Sequence, residues 1–167
     1  MKVLSLDIST NVTGFAAMDD SGLIEYGGLS LKEKQSDTAS NSTLYNFGIA
    51  MSELMEKHKP DKVITENIYL GKNVSTVIVL AMMSGIARFI AFKYGVECYK
   101  LYPKSVDIHL GVETHLKRDA RKKRIVELIN KRFGLKLKIK ENDIADAIAM
   151  ASCAMYKIRK NEEMKTI

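Results

Sequence analysis

The stretch KVLSLDISTNVTGFAAMDDSGLIEYGGLS, residues 2–30, decides the fold. Leu4, Leu6 and Ile8 alternate with Val3, Ser5 and Asp7, the period-two signature of a strand with two unlike faces. Gly14-Phe15-Ala16-Ala17-Met18 reads as a second strand, Asp20-Ser21-Gly22 as a turn, and Leu23 to Ser30 as a third strand. A parallel crossover needs a dozen or more residues, so strands joined this tightly are expected to pair antiparallel.

Beyond the hairpins, residues 32–42 are polar and read as a loop. A helix follows with Leu44, Phe47, Met51, Leu54 and Met55 on one side, ending before Pro60. Lys62 to Glu66 is a short strand ending in a carboxylate, and residues 67–73 connect it to a long apolar helix from Val74 to Tyr94, stopped by Gly95. Val96 to Leu101 reads as a strand, and Pro103-Lys104-Ser105 opens a short helix ending near Gly111. Asp119 to Phe133 is helical, with Gly134 as its stop, and a last helix runs from Asn142 or Asp143 to about Arg159. The pattern predicts an α/β fold over residues 1–159: a mixed five-stranded sheet, its first three strands antiparallel, flanked by helices. Residues 160–167 are expected to be a polar, frayed tail.

A chain of 167 residues suits one domain with a core that needs no staples. Cys98 and Cys153 form no CxxC pair, and His58, His109 and His115 lack zinc spacing, which argues against a disulfide scaffold or zinc finger. A reducing, cytoplasmic setting is expected (the host cytoplasm if the chain is viral), since Met1-Lys2 leads into no secretory signal. The uncharged gap between Lys72 and Arg88 is 15 residues, short for a bilayer span, so no membrane role is expected. The 74–94 helix, apolar nearly all round, is expected to be buried on more than one side, including a subunit interface.

Charge is uneven. Residues 117–140 carry eleven basic side chains against two acidic ones, a net of +9, while the other 143 residues sum to −3. Lys117, Arg118, Arg121, Lys122, Lys123 and Arg124 form its densest part and point to a polyanion, nucleic acid first, although a solvated helix face has the same composition.

Four acidic residues resist a bland reading. Asp7 interrupts an apolar strand, and Glu66 ends one. Asp143 and Asp146, spaced by three, share a helix face among Ala, Ile and Met. Helix capping accounts for Asp143 and less well for Asp146, one turn in. Carboxylates gathered without a counterion repel one another, and a hard divalent cation such as Mg²⁺ or Mn²⁺ relieves that. An acidic metal site beside a basic surface describes a metal-dependent nuclease.

These residues resemble the RuvC-like Holliday junction resolvases of the ribonuclease H-like superfamily. The resemblance runs through Leu4-Ser5-Leu6-Asp7, Thr13-Gly14-Phe15, Val63 to Tyr69, Lys72-Asn73, Gly85, Pro103 to Val106, Gly111 and Asp143 to Ala149. Within that family the chain looks most like the small phage-type members; Asp7 is followed by Ile8-Ser9-Thr10 where bacterial members usually have Pro-Gly, and Thr10 and Asn11 would line the site instead. The resemblance implies a homodimer, joined through the 74–94 helix, that nicks a four-way DNA junction in symmetric pairs, leaving a 5′ phosphate and a 3′ hydroxyl. The catalytic, metal-binding carboxylates would be Asp7, Glu66, Asp143 and Asp146, holding two Mg²⁺ ions, with Mn²⁺ able to substitute. Tyr69 would stack on opened bases, and Lys72, Lys104 and Lys122 would contact DNA.

Other classes remain. A nuclease of the same superfamily could act on flaps, forks or RNA–DNA hybrids, and a non-catalytic binding protein could share the fold. A sugar-kinase or actin-like ATPase would need a second domain and a glycine cluster near Asp7, which Ile8-Ser9-Thr10-Asn11 does not supply.

Overall fold

In the computed structural model, which describes residues 1–31, 39–68, 73–113, 115–161 and 164–166, the opening strand β1 (Lys2–Asp7) is central. It pairs antiparallel with β2 (Val12–Asp19) and parallel with β4 (Lys62–Glu66). β3 (Gly22–Ser30) pairs antiparallel with β2, and β5 (Glu97–Leu101) parallel with β4. The expected ribonuclease H-like mixed sheet with an antiparallel first trio is therefore present. A sixth strand extends it: Lys165–Thr166 (β6) pairs antiparallel with β5, giving the order β3-β2-β1-β4-β5-β6. Part of the tail expected to fray thus returns to the sheet, where it satisfies backbone groups on the open edge of β5.

α1 (Ala39–His58) begins earlier than expected. Its Ser- and Asn-rich start reads as loop by composition, yet those residue types also suit a helix's first turn. Residues 32–38 lie outside the described residues.

The period-two pattern sorts the sheet into two cores. Leu4, Leu6, Phe15, Ala17 and Val63 pack against α1 and α2 (Val74–Lys93). Val3, Ala16, Met18, Ile64 and Leu101 pack against α5 (Asn142–Arg159), which is backed by α3 (Pro103–Leu110) and α4 (Arg118–Phe133). By the same alternation Ser5, Asp7 and Glu66 belong to the α5 face.

α2 is buried on one side through Met83, Ser84, Ala87, Ile90 and Ala91. Its other side leaves Ile78, Met82, Phe89 (69% exposed) and Phe92 (83%) in solvent, so burial on more than one side is not met within one chain. These positions follow i, i+4, i+11 and i+14, one continuous stripe. The helix runs through Arg88 and by length and composition could cross a membrane, which corrects the argument from the 15-residue gap. Here its inner side packs on α1 and β5.

α5 lies directly on the first hairpin. Ser5, wholly buried, donates its hydroxyl between the Ala147 carbonyl, 2.7 Å away, and the Ala16 carbonyl at 3.2 Å. A Cβ at Gly14 would sit 1.9 Å from the Asp143 carbonyl oxygen, so a larger residue must push the start of α5 away. Gly14→Ala is expected to destabilise the protein by about 1–3 kcal/mol or more, read as a lower urea midpoint with an unchanged slope.

Candidate active site

The sheet delivers two carboxylates side by side. Asp7 and Glu66 end the parallel neighbours β1 and β4, whose register pairs Leu6 with Thr65 one residue earlier. Asp7 is also the ladder partner of Gly14, over which the Asp143 backbone sits. Asp143 therefore arrives next to Asp7, and Asp146 follows one turn on. All four carboxylates line one pocket of about 530 Å³, together with Arg118, Arg121 and Lys122 of α4.

Asp143 is not the N-cap of α5, although it lies in the first turn, where the helix dipole favours a carboxylate. The N-cap of α5 is Glu141, without a side-chain cap bond, and Asp143 Oδ1 instead accepts from Asn142 Nδ2. Thr10 and Asn11 line the pocket as expected, along with Ser9, which holds the turn through Thr13.

The basic block divides by helical period. Arg118, Arg121 and Lys122 continue, one turn N-terminally, the buried stripe of Ile125, Val126 and Ile129 and so face the site. Lys117 and Lys123 are exposed away from the pocket lining, and Arg124 pairs with Glu113 (3.4 Å) and Glu127 (3.8 Å). Lys104 is exposed at the start of α3. Tyr69 and Lys72 lie outside the described residues. Sequence reasoning missed Asp107, whose carboxylate grips Arg121 with Nε 3.0 Å from each oxygen. Asp107 sits on a different helix with no local pattern to mark it.

The family model for the crossover junction endodeoxyribonuclease RuvC matches residues 3–154. The chain belongs to the RuvC family. The RuvC of Bdellovibrio bacteriovorus is 29% identical over 164 residues, 98% of this chain and 95% of that protein. That of Dictyoglomus turgidum is 28% identical over 161 residues, covering 94% and 98%. Among solved structures, Thermus thermophilus RuvC in complex with Holliday junction substrate aligns with a TM-score of 0.81 at 17% identity, over 100% of this chain and 99% of that one. The yeast mitochondrial Holliday junction resolvase Ydc2 aligns at 0.59 and 18%, over 95% and 81%. These two structures support the fold.

Burial raises the four carboxyls, and crowding adds to the rise at Asp7, Glu66 and Asp146. Burial, then repulsion from Asp146, Glu66 and Asp143, holds the Asp7 carboxyl well above the usual range, against the pull of Lys122. Burial and Asp146 raise Glu66 to about 7, and burial raises Asp146 to about 6 despite Arg121 and Lys122. Asp143 is raised too, chiefly by burial. Among the described residues no three His, Cys, Asp or Glu side chains are gathered closely enough to hold a metal ion as they stand. The donor chemistry nevertheless fits a hard divalent cation: all-oxygen ligands, short of compensating charge.

The sign of the pH dependence follows. Between the ordinary value of 4.5 and about 7 the folded state holds a proton on Glu66 that the unfolded chain has released. That stability is complete below the lower value and is lost as pH rises through the upper one. Asp146 acts alike between 3.8 and about 6. In EDTA the protein is expected to lose on the order of 2 kcal/mol from about pH 5 to pH 8. Glu66→Gln should flatten the upper part of that decline in thermal melts.

Proposed function

We propose that this chain is a divalent-metal-dependent endonuclease that nicks four-way DNA junctions in symmetric pairs, leaving a 5′ phosphate and a 3′ hydroxyl. The observation that carries this reading is the single pocket joining Asp7, Glu66, Asp143 and Asp146 to Arg118, Arg121 and Lys122, in a chain of the RuvC family. The Holliday junction substrate held by the Thermus thermophilus RuvC supports the choice of DNA.

The four carboxylates would hold Mg²⁺, two ions per site, with Mn²⁺ able to substitute. Bound there, the cations supply Lewis-acid activation of the attacking water and charge stabilisation at the leaving 3′ oxygen. Asp7, on the central strand between Glu66 and the start of α5, would belong to that ligand set. Arg118 and Lys122 draw the phosphate backbone into the pocket, and Lys117 and Lys123 extend the contact outward. Arg124, engaged by Glu113 and Glu127, contributes less. Lys104, Lys72 and Tyr69 are assigned to DNA as well, Tyr69 by stacking on opened bases.

Two cuts require two sites. The exposed stripe Ile78, Met82, Phe89 and Phe92 is assigned to a second copy of the chain rather than to a membrane. Phe89→Glu is expected to turn the dimer into a monomer in light scattering and to abolish coordinated double nicking. Ile8-Ser9-Thr10 supports the phage-type assignment, with the host cytoplasm as the setting.

The test is cleavage of a labelled synthetic four-way junction in Mg²⁺ and in EDTA, beside linear duplex, flap, fork and RNA–DNA hybrid. Paired Mg²⁺-dependent nicks are expected, with Asp7→Asn slower by at least about 100-fold yet binding unchanged. Cutting of flaps, forks or hybrids with the junction spared would replace the substrate assignment. Tight binding with no cleavage in Mg²⁺ or Mn²⁺ would leave a non-catalytic binding protein.

A further inference from the structure

Arg121 stands apart from the other cations of α4. Its side chain is drawn out of solvent to 24% exposure onto Asp107 of α3, itself 19% exposed. Nε lies 3.0 Å from both Asp107 carboxylate oxygens and Nη2 lies 2.8 Å from Oδ1. This fork fixes the plane of the guanidinium as a single hydrogen bond would not. On its other side Nη1 faces Asp146 Oδ1 at 3.9 Å, too far for a hydrogen bond. Among the described residues Nη1 donates no hydrogen bond to protein and meets Asp146 only as this longer ion pair. A rigid cation with donors left over thus stands against the carboxylate pocket.

A cation serving only to attract the DNA backbone has no need of such a mount. Lys117, Arg118 and Lys123 are exposed and free to follow a phosphate chain. Arg121 is neutralised by Asp107, which makes it a poor source of long-range attraction. It is held in the wall of the pocket that the four carboxylates line. A planar fork can take one non-bridging oxygen of a phosphodiester in a defined orientation, which an ammonium does not impose.

We infer that Arg121 binds a non-bridging oxygen of the reacting phosphodiester, and that Asp107 is the positioning residue that sets its guanidinium. The inference rests on the nuclease reading of this pocket. Arg121 then acts on cleavage, whereas Arg118, Lys122 and their exposed neighbours act on affinity. Because Asp107 reaches DNA through Arg121 alone, the two residues behave as one unit.

The test separates binding from chemistry. Junction affinity is measured in Ca²⁺ over a range of salt, and single-turnover cleavage in saturating Mg²⁺ with enzyme in excess. Wild type, Arg121→Lys, Asp107→Asn and the double variant are compared. Each single variant is expected to cleave at least about tenfold more slowly, with Kd within about twofold and an unchanged salt slope. The double variant is expected to match the slower single variant. Should Asp107→Asn melt well below wild type, Asp107→Glu replaces it, keeping the charge while displacing the guanidinium by one methylene. Wild-type cleavage by Arg121→Lys would reduce the residue to a counterion and overturn the inference. So would a weaker Kd with a salt slope lower by about one at unchanged cleavage, the mark of a backbone contact, or losses that multiply in the double variant. If the wild type itself cuts no junction, flap, fork or hybrid, the nuclease reading fails and the role of Arg121 fails with it; cleaving wild type with unaffected Arg121→Lys removes that role alone.

Discussion

α5 approaches the first hairpin at a distance that leaves no room for a side chain at position 14, where a Cβ would meet the Asp143 carbonyl at 1.9 Å. Ser5 ties the same helix to the sheet from beneath through the Ala147 carbonyl. Small residues along α5, Ala145, Ala147, Ala149 and Ala151, all wholly buried, let the contact continue down the hairpin. Since Gly14 is the ladder partner of Asp7, this packing sets the position of Asp143 and Asp146 relative to the strand carboxylates. The site is a consequence of how closely helix and sheet backbones approach.

That closeness has an electrostatic cost. Four carboxylates converge where burial raises each of them, and repulsion from neighbouring carboxylates adds to the rise at Asp7, Glu66 and Asp146. α4 answers from the opposite wall. Its inward stripe is apolar where it packs on α5, through Ile125, Val126 and Ile129, and cationic one turn earlier, where it reaches the pocket. One helix face thus contributes both to the core and to charge balance, and the shift from one to the other falls where α5 begins.

Much of this was legible in the chain. The short connections between strands within residues 2–30 indicated the antiparallel trio, and the spacing of Asp143 and Asp146 indicated a shared helix face. The partition of the basic block was legible too, since Lys122 and Arg121 lie three and four residues before Ile125, but reading the block as a whole concealed it. The role of the α2 outer stripe could not be separated from burial, because hydropathy is blind to which side of a helix its own chain covers. The return of Lys165–Thr166 to the sheet edge had no signal, a two-residue strand being too short to carry a period.

By itself the sequence indicated most of the elements, the two faces of the opening strand and four carboxylates in apolar surroundings, because periodicity and a charge in an apolar stretch are local properties. Tertiary structure alone decided that Gly14 must be glycine, that Asp143 is not a cap, and that Asp107 holds Arg121 across the gap between two helices. Those facts depend on distances between backbones far apart along the chain, which no local pattern records.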